Sequence, residues 1–164
     1  MTMTMTEYIK RRYQSTKDNW GDFESEYYIL LNAVDRIRDT LIARYGYFAE
    51  AERRLGYGRT ELTKRYSWGC IIPNIRGLDR LLRALNLSYQ YIIFGGEETP
   101  YSINRMTLKN FEKVYNEGYE GRKNPRVSAM LTKTKAGKCR SVALKYLIRV
   151  AREQRRTIDW LLGG

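Results

Sequence analysis

From Glu24 to Tyr45 apolar side chains return at three- and four-residue steps: Tyr27, Leu30, Leu31, Val34, Ile37, Leu41 and Tyr45, with Asp35, Arg36, Arg38 and Asp39 set between them. That period lays one apolar stripe along a helix and conflicts with the two-residue alternation of a strand. A stripe this long has to be buried against other elements, and the rest of the chain supplies further helices to do so. Gly46 ends the first helix, and a shorter one follows with Phe48, Ala51 and Leu55 on one face, closed by Gly56-Tyr57-Gly58. Arg59 to Trp68 reads as a polar helix anchored by Leu62, and residues 69–73 as a loop. Asn74 is a suitable cap for a helix that buries Ile75, Leu78, Leu82 and Leu85 and keeps Arg76, Arg80 and Arg83 outside the stripe. Ser88 caps a short helix, Tyr89 to Phe94, stopped by Gly95-Gly96.

Beyond Pro100, Ile103 to Asn116 is expected to be helical, residues 118–125 are poor helix material, and Val127 to Lys135 can be helical. Residues 136–140 turn. Val142 to Gln154 is amphipathic through Leu144, Leu147, Ile148 and Ala151, and Thr157 caps a last turn or two before Gly163-Gly164. Strand patterning is weak throughout, so the expected class is all-α.

A chain of 164 residues has room for one ordinary domain or two small ones. Gly95-Gly96-Glu97-Glu98-Thr99-Pro100 combines helix breakers, acids and a proline, which places a linker at residues 97–102 between a domain at 23–96 and another at 103–164. Residues 1–22 are expected to form a flexible arm, with Lys10, Arg11 and Arg12 as a short basic run. Shifting the chain on itself by 69 residues aligns Leu62-Thr63-Lys64 with Leu131-Thr132-Lys133, Cys70 with Cys139, Leu78 with Leu147, Arg80 with Arg149, Arg83 with Arg152 and Gly95 with Gly164. A long period present only twice points to two tandem small domains and not to a solenoid, which needs at least about three units. The second copy is the more degenerate.

The net charge is +12, unevenly placed: residues 1–100 hold 15 basic and 13 acidic side chains, residues 101–164 hold 15 and 5. A phosphate-bearing or otherwise anionic partner is implied. The chain has no histidine, which removes the commonest general base and most imidazole-dependent metal sites. Its two cysteines, Cys70 and Cys139, are too few for a disulfide framework or a zinc site and read as free thiols. No paired carboxylates suited to acid-base work and no GK[ST] phosphate loop occur, so neither catalysis nor a cofactor is expected. No run approaches the roughly 18 apolar residues of a membrane span, and Met1 to Thr6 lacks the apolar core of a signal peptide. The expectation is a soluble, cytoplasmic protein with no membrane partner.

A short helix followed by a turn-flanked polar helix is the layout of a helix-turn-helix. Leu55-Gly56-Tyr57-Gly58, Leu62-Thr63-Lys64, Gly69 with Pro73, the helix from Leu78 to Leu85, and Ser88-Tyr89-Gln90-Tyr91-Ile92-Ile93-Phe94-Gly95 together resemble the lambda repressor and Cro-like (XRE-type) helix-turn-helix family. The resemblance covers about residues 26–96 and, more faintly, 103–164. Departures are Tyr47-Phe48 where the family is glutamine-rich, Tyr66 where it carries a glutamate, and one extra residue before Gly69. What the resemblance implies is a sequence-specific, non-enzymatic transcriptional regulator of phage or mobile-element type, associated with the nucleoid and reading the major groove of double-stranded DNA with helix 59–68.

By that resemblance the groove-facing positions are Gly58, Arg59, Thr60, Thr63 and Lys64. Chemistry agrees, since arginine reaches guanine O6 and N7 in bidentate fashion and threonine hydrogen-bonds a base or phosphate. In the second unit Arg126, Ser128, Thr132, Lys133 and Lys135 hold the equivalent helix. Lys145, Arg149 and Arg152 recur at i, i+4 and i+7 and form one stripe suited to a phosphate backbone. The second unit is expected to add phosphate contacts or a second half-site; the other role open to it is homodimerisation through Trp160 and Leu161. Tyr8, Tyr13, Trp20, Tyr27 and Tyr28 read as core or dimer packing and not as base-stacking platforms. Competing readings are a protein-interaction adaptor or antitoxin that keeps the fold without base readout, and a nonspecific nucleic-acid-binding protein.

Overall fold

The computed structural model describes residues 23–67, 75–118 and 144–163, whose regular elements are all helices, with no strand among them. In chain order the helices are α1 Glu24–Tyr45, α2 Phe48–Leu55, a π-helical segment Thr63–Ser67, α3 Ile75–Leu85, α4 Tyr89–Phe94, α5 Lys109–Gly118, α6 Leu144–Gln154 and α7 Ile158–Gly163. The described residues are all-α, as expected. No helix among the described residues is long and apolar enough to cross a membrane, and no group of acidic or cysteine side chains among them is arranged to hold a metal ion. The caps expected at Asn74, the loop 69–73, both cysteines, Tyr8, Tyr13, Trp20 and the helix 127–135 lie outside the described residues.

Two compact units form, and they interleave along the chain. The first comprises residues 23–67 with Ile92–Gly95; the second comprises residues 75–91, 96–118 and 144–163. Packing therefore groups α3 and the first turn of α4 with the C-terminal helices, whereas the division at 97–102 groups them with α1.

In the first unit α1 lays Tyr27, Leu30, Val34, Ile37 and Leu41 into the core, joined by Ala51 from α2 and by Leu62, Tyr66, Ile92 and Ile93. Tyr27 is thus core, while its neighbour Tyr28 stays 41% exposed. Arg36 donates from its guanidinium to the carbonyl of Ile92, closing the carbonyl end of α4 with a cation as the helix dipole favours. The same guanidinium fills the space beside Gly95, whose φ of +82° already disfavours a side chain; a Cβ there would meet Arg36 Nη2 at 3.0 Å.

In the second unit α5, α6 and α7 pack against one another. Phe111, Val114, Tyr115, Leu144, Leu147, Ile148, Ala151, Ile158, Leu161 and Leu162 are buried, with the Phe111 and Tyr115 rings stacked 6.2 Å apart. Leu161 is fully buried and Trp160 half-buried under the Arg156 guanidinium, 4.5 Å from its ring, so Leu161 offers no exposed dimer contact. Helix α5 starts six residues later than the periodicity predicts. The Thr107 amide is committed to the Leu162 carbonyl (2.7 Å) and its hydroxyl accepts from the Lys109 amide (3.2 Å), a local bond that competes with helix at 103–108.

The repeat seen in the residues extends to the backbone. Helices α3 and α6 both run 11 residues and start 69 positions apart. Each ends in a left-handed residue, Asn86 (φ 54°) and Arg155 (φ 52°). The next amide then reaches back five residues, Leu87 to Leu82 (3.0 Å) and Arg156 to Ala151 (3.1 Å), completing a Schellman turn. Ser88 Oγ accepts from the Tyr91 amide (3.1 Å) and Thr157 Oγ1 from the Trp160 amide (3.0 Å), capping α4 and α7, each of six residues.

Residues 97–102 are held in place. Asp79 on α3 accepts from the hydroxyls of Tyr89 (2.8 Å) and Tyr101 (2.6 Å) and from Arg83 Nε (2.9 Å), and the Ser88 amide donates to the Thr99 carbonyl (2.9 Å). Burial and then the bond to the Asp79 carboxylate push the Tyr101 phenol well above its ordinary value of 10.0. A folded-state pKa raised in this way contributes stability that is full below pH 10.0 and is lost as the pH rises through the higher folded-state value. Tyr101→Phe is expected to lower the unfolding free energy by about 1–2 kcal/mol at neutral pH and to flatten the alkaline limb of the stability curve; equilibrium urea unfolding across pH 7 to 11 checks both.

Candidate nucleic-acid interface

Helix α2 ends in a left-handed Gly56 (φ 76°), and the Tyr57 amide reaches back to the Glu52 carbonyl at 2.8 Å. This Schellman turn aims the chain into residues 58–67, where the sequence predicts a helix from Arg59 to Trp68. The structure corrects that expectation. Thr60 has φ +64°, a conformation a helix interior does not accept, and Arg59 and Thr60 form a turn. Helical geometry begins at Glu61 and widens into the π-helical segment Thr63–Ser67; Trp68 lies outside the described residues.

The reason lies in a carboxylate that is 96% buried. Glu52 Oε2 accepts from the amides of Leu62 (2.8 Å) and Thr63 (3.3 Å), so α2 supplies the acceptor for two amides at the start of the segment. Glu61 reaches back to the Gly58 amide (2.9 Å) while its own amide donates to the Gly58 carbonyl (3.2 Å), which fixes the turn from the outside. Leu62 and Tyr66 are buried beneath the segment, and burial raises the pKa of the Tyr66 phenol.

This frame brings Gly58, Arg59, Thr60 and Lys64 to an exposed edge, with Thr63 half-buried behind them. Thr63 is therefore the least exposed of the five residues singled out by sequence; its amide is held by Glu52. Arg65 is half-buried and paired with Glu61 at 3.5 Å. On α2, Glu50 binds both Arg53 and Arg54, the second at 2.7 Å. Hydrogen bonds from Arg53 and then Arg54 bring its carboxyl pKa down to about 2. At neutral pH the Glu50 carboxylate thus offsets one of the two positive charges that Arg53 and Arg54 carry.

In the second unit, Arg126, Ser128, Thr132, Lys133 and Lys135 lie outside the described residues. Lys145, Arg149 and Arg152 share one face of α6, between the buried Ile148 on one side and the buried Tyr146 on the other; the first two are half-buried and the third exposed. The Lys145 ammonium lies 5.4 Å from the Tyr146 ring centroid.

Residue chemistry alone does not single out the matching positions on α3. Arg76, Arg80 and Arg83 stand 69 residues before Lys145, Arg149 and Arg152, at the same i, i+4, i+7 spacing, and all three are exposed. Arg83 is partly engaged, by Asp79 at 2.9 Å and by the Tyr101 ring at 4.9 Å. The signal that finds this stripe is the repeat itself.

No family model, curated protein or solved structure matches the chain.

Glu52→Ala strips the cap from Leu62 and Thr63 and leaves a buried amide without an acceptor. The expected cost is about 1–3 kcal/mol, with amide hydrogen exchange at Leu62 and Thr63 accelerating more than in the rest of the unit. Glu52→Gln keeps an acceptor and should lose less on both measures.

Proposed function

We propose that the protein is a sequence-specific, non-enzymatic DNA-binding transcriptional regulator that reads the major groove of double-stranded DNA with the Gly58–Lys64 edge. The observation that carries the reading is the exposed cluster of Arg59, Thr60 and Lys64, pinned onto the core by the buried Glu52 carboxylate and the Leu62 and Tyr66 side chains. A readout element has to present a few polar side chains from a rigid support, because each base edge is recognised by hydrogen bonds of fixed direction.

In this mechanism Arg59 and Thr60 project from the turn that precedes the helical segment, and Lys64 from the segment itself. Arg59 forms a bidentate contact with guanine, Thr60 a hydrogen bond to a base or phosphate, and Lys64 a phosphate contact. The stripes on α3 and α6 supply electrostatic affinity, with each neutralised phosphate releasing counterions. Arg126, Ser128, Thr132, Lys133 and Lys135 belong to the same reading as the second unit's counterpart. A cytoplasmic, nucleoid-associated protein of phage or mobile-element type fits this function, with a resemblance to XRE-type regulators as its support.

Separate substitutions distinguish readout from charge. Arg59→Ala is expected to cost about 1–3 kcal/mol on the preferred site and to relax preference at one base position, whereas Lys64→Ala weakens all duplexes similarly and lowers the salt slope by about 1. Fluorescence anisotropy on preferred and scrambled duplexes over a salt series makes the comparison. Equal affinity of the parent chain for every duplex would favour nonspecific nucleic-acid binding, and retained protein partners with no duplex affinity would favour an adaptor.

A further inference from the structure

The two repeated helix pairs touch within the second unit, and they do so reciprocally. Asp159 Oδ1 accepts from the Tyr89 amide and Oδ2 from the Gln90 amide, both at 2.8 Å, while Gln90 Oε1 accepts from the Ile158 amide at 3.4 Å. Under the 69-residue shift Gln90 corresponds to Asp159 and Tyr89 to Ile158. Each side chain therefore caps the helix that bears the other. Residue i meeting j while j's counterpart meets i's is the signature of a two-fold contact, which ordinarily relates two copies of one chain.

The identities at the contact also select which pairs meet. Two helix N-termini approach each other here, with unsatisfied amides and positive dipole ends that repel. One carboxylate between them answers both problems, and a neutral amide opposite avoids setting two carboxylates face to face. A like pair, α7 against α7 of another chain, would oppose two aspartates; α4 against α4 would leave both dipole ends without a charge. The unlike pair, joined within one chain, is the favoured combination.

We propose that α3–α4 and α6–α7 form an internal two-fold pair, through which one chain and not two spans the dyad of an inverted-repeat DNA target. This rests on the DNA-binding reading above. The same two-fold carries the basic stripe of α3 onto that of α6, so the stripes engage backbone phosphates at equivalent positions on either side of the target's dyad.

The test has one arm without DNA and one with it. In urea unfolding of the full chain, Gln90→Asp and Asp159→Gln should each lower the transition midpoint, and the double swap Gln90→Asp/Asp159→Gln should recover most of the loss. A double variant as damaged as the two singles combined would overturn the two-fold contact. For the second arm, sedimentation and hydroxyl-radical footprinting use a duplex of about 30 base pairs carrying the sequence enriched from random DNA, long enough for two half-sites about one helical turn apart. The expected result is one chain per duplex with protection symmetric about a dyad, and similar affinity losses for Arg80→Ala and Arg149→Ala, each lowering the salt slope by about 1. Two chains per duplex, one on each half-site, would overturn the inference and leave the regulator standing. Absence of any duplex binding, with the swap still rescuing stability, would remove the regulator and the inverted-repeat target together while leaving the internal two-fold contact.

Discussion

A single carboxylate, Asp159, receives the first two amides of a helix that lies 69 residues away in the chain. Short helices have little cooperativity of their own, and α4 and α7 at six residues each would not persist without external partners for their terminal amides. Asp159 and Gln90 provide those partners across the contact, while Ser88 and Thr157 provide them locally. Once the N-termini are joined, α3 and α6 are brought into one compact unit. The polar bonds to Thr99 and Tyr101 then tie the intervening segment to the same unit.

The first unit is organised around a comparable device. Glu52 is buried on α2 yet acts on residues ten and eleven positions later, holding the start of the 61–67 segment. Because the cap comes from the preceding helix, the turn at Arg59 and Thr60 can take a left-handed backbone without dissolving the segment that follows. Rigidity at Leu62 and exposure at Arg59, Thr60 and Lys64 have one structural cause. That coupling is what a base-reading element requires, since side chains presented from a mobile support lose directional discrimination.

Periodicity made most of the helices legible. The stripe from Tyr27 to Leu41 placed α1, and the caps at Ser88 and Thr157 placed α4 and α7. Three features were hidden for physical reasons. Thr60 is not a residue whose composition announces a positive φ, and the Glu52 cap is a tertiary contact, so neither the start of the 61–67 segment nor its π geometry could be read locally. The apolar members of 103–108 fit a helix, but Thr107 is bonded to Leu162, far along the chain. The acids, glycines and proline of 95–100 read as a linker because Asp79, Tyr89 and Tyr101 are scattered in sequence and meet only in space. For the candidate site, residue chemistry and resemblance point to the Gly58–Lys64 edge, while the α3 stripe is legible only through its 69-residue correspondence with Lys145, Arg149 and Arg152.

The most direct measurement is selection of binding sites from random duplex DNA by the full chain at about 150 mM salt. The full chain is required because the compact units interleave, and a cut near residue 100 would divide the second one. Enrichment of one motif arranged as an inverted repeat is expected. A pool that remains random after repeated rounds would contradict it.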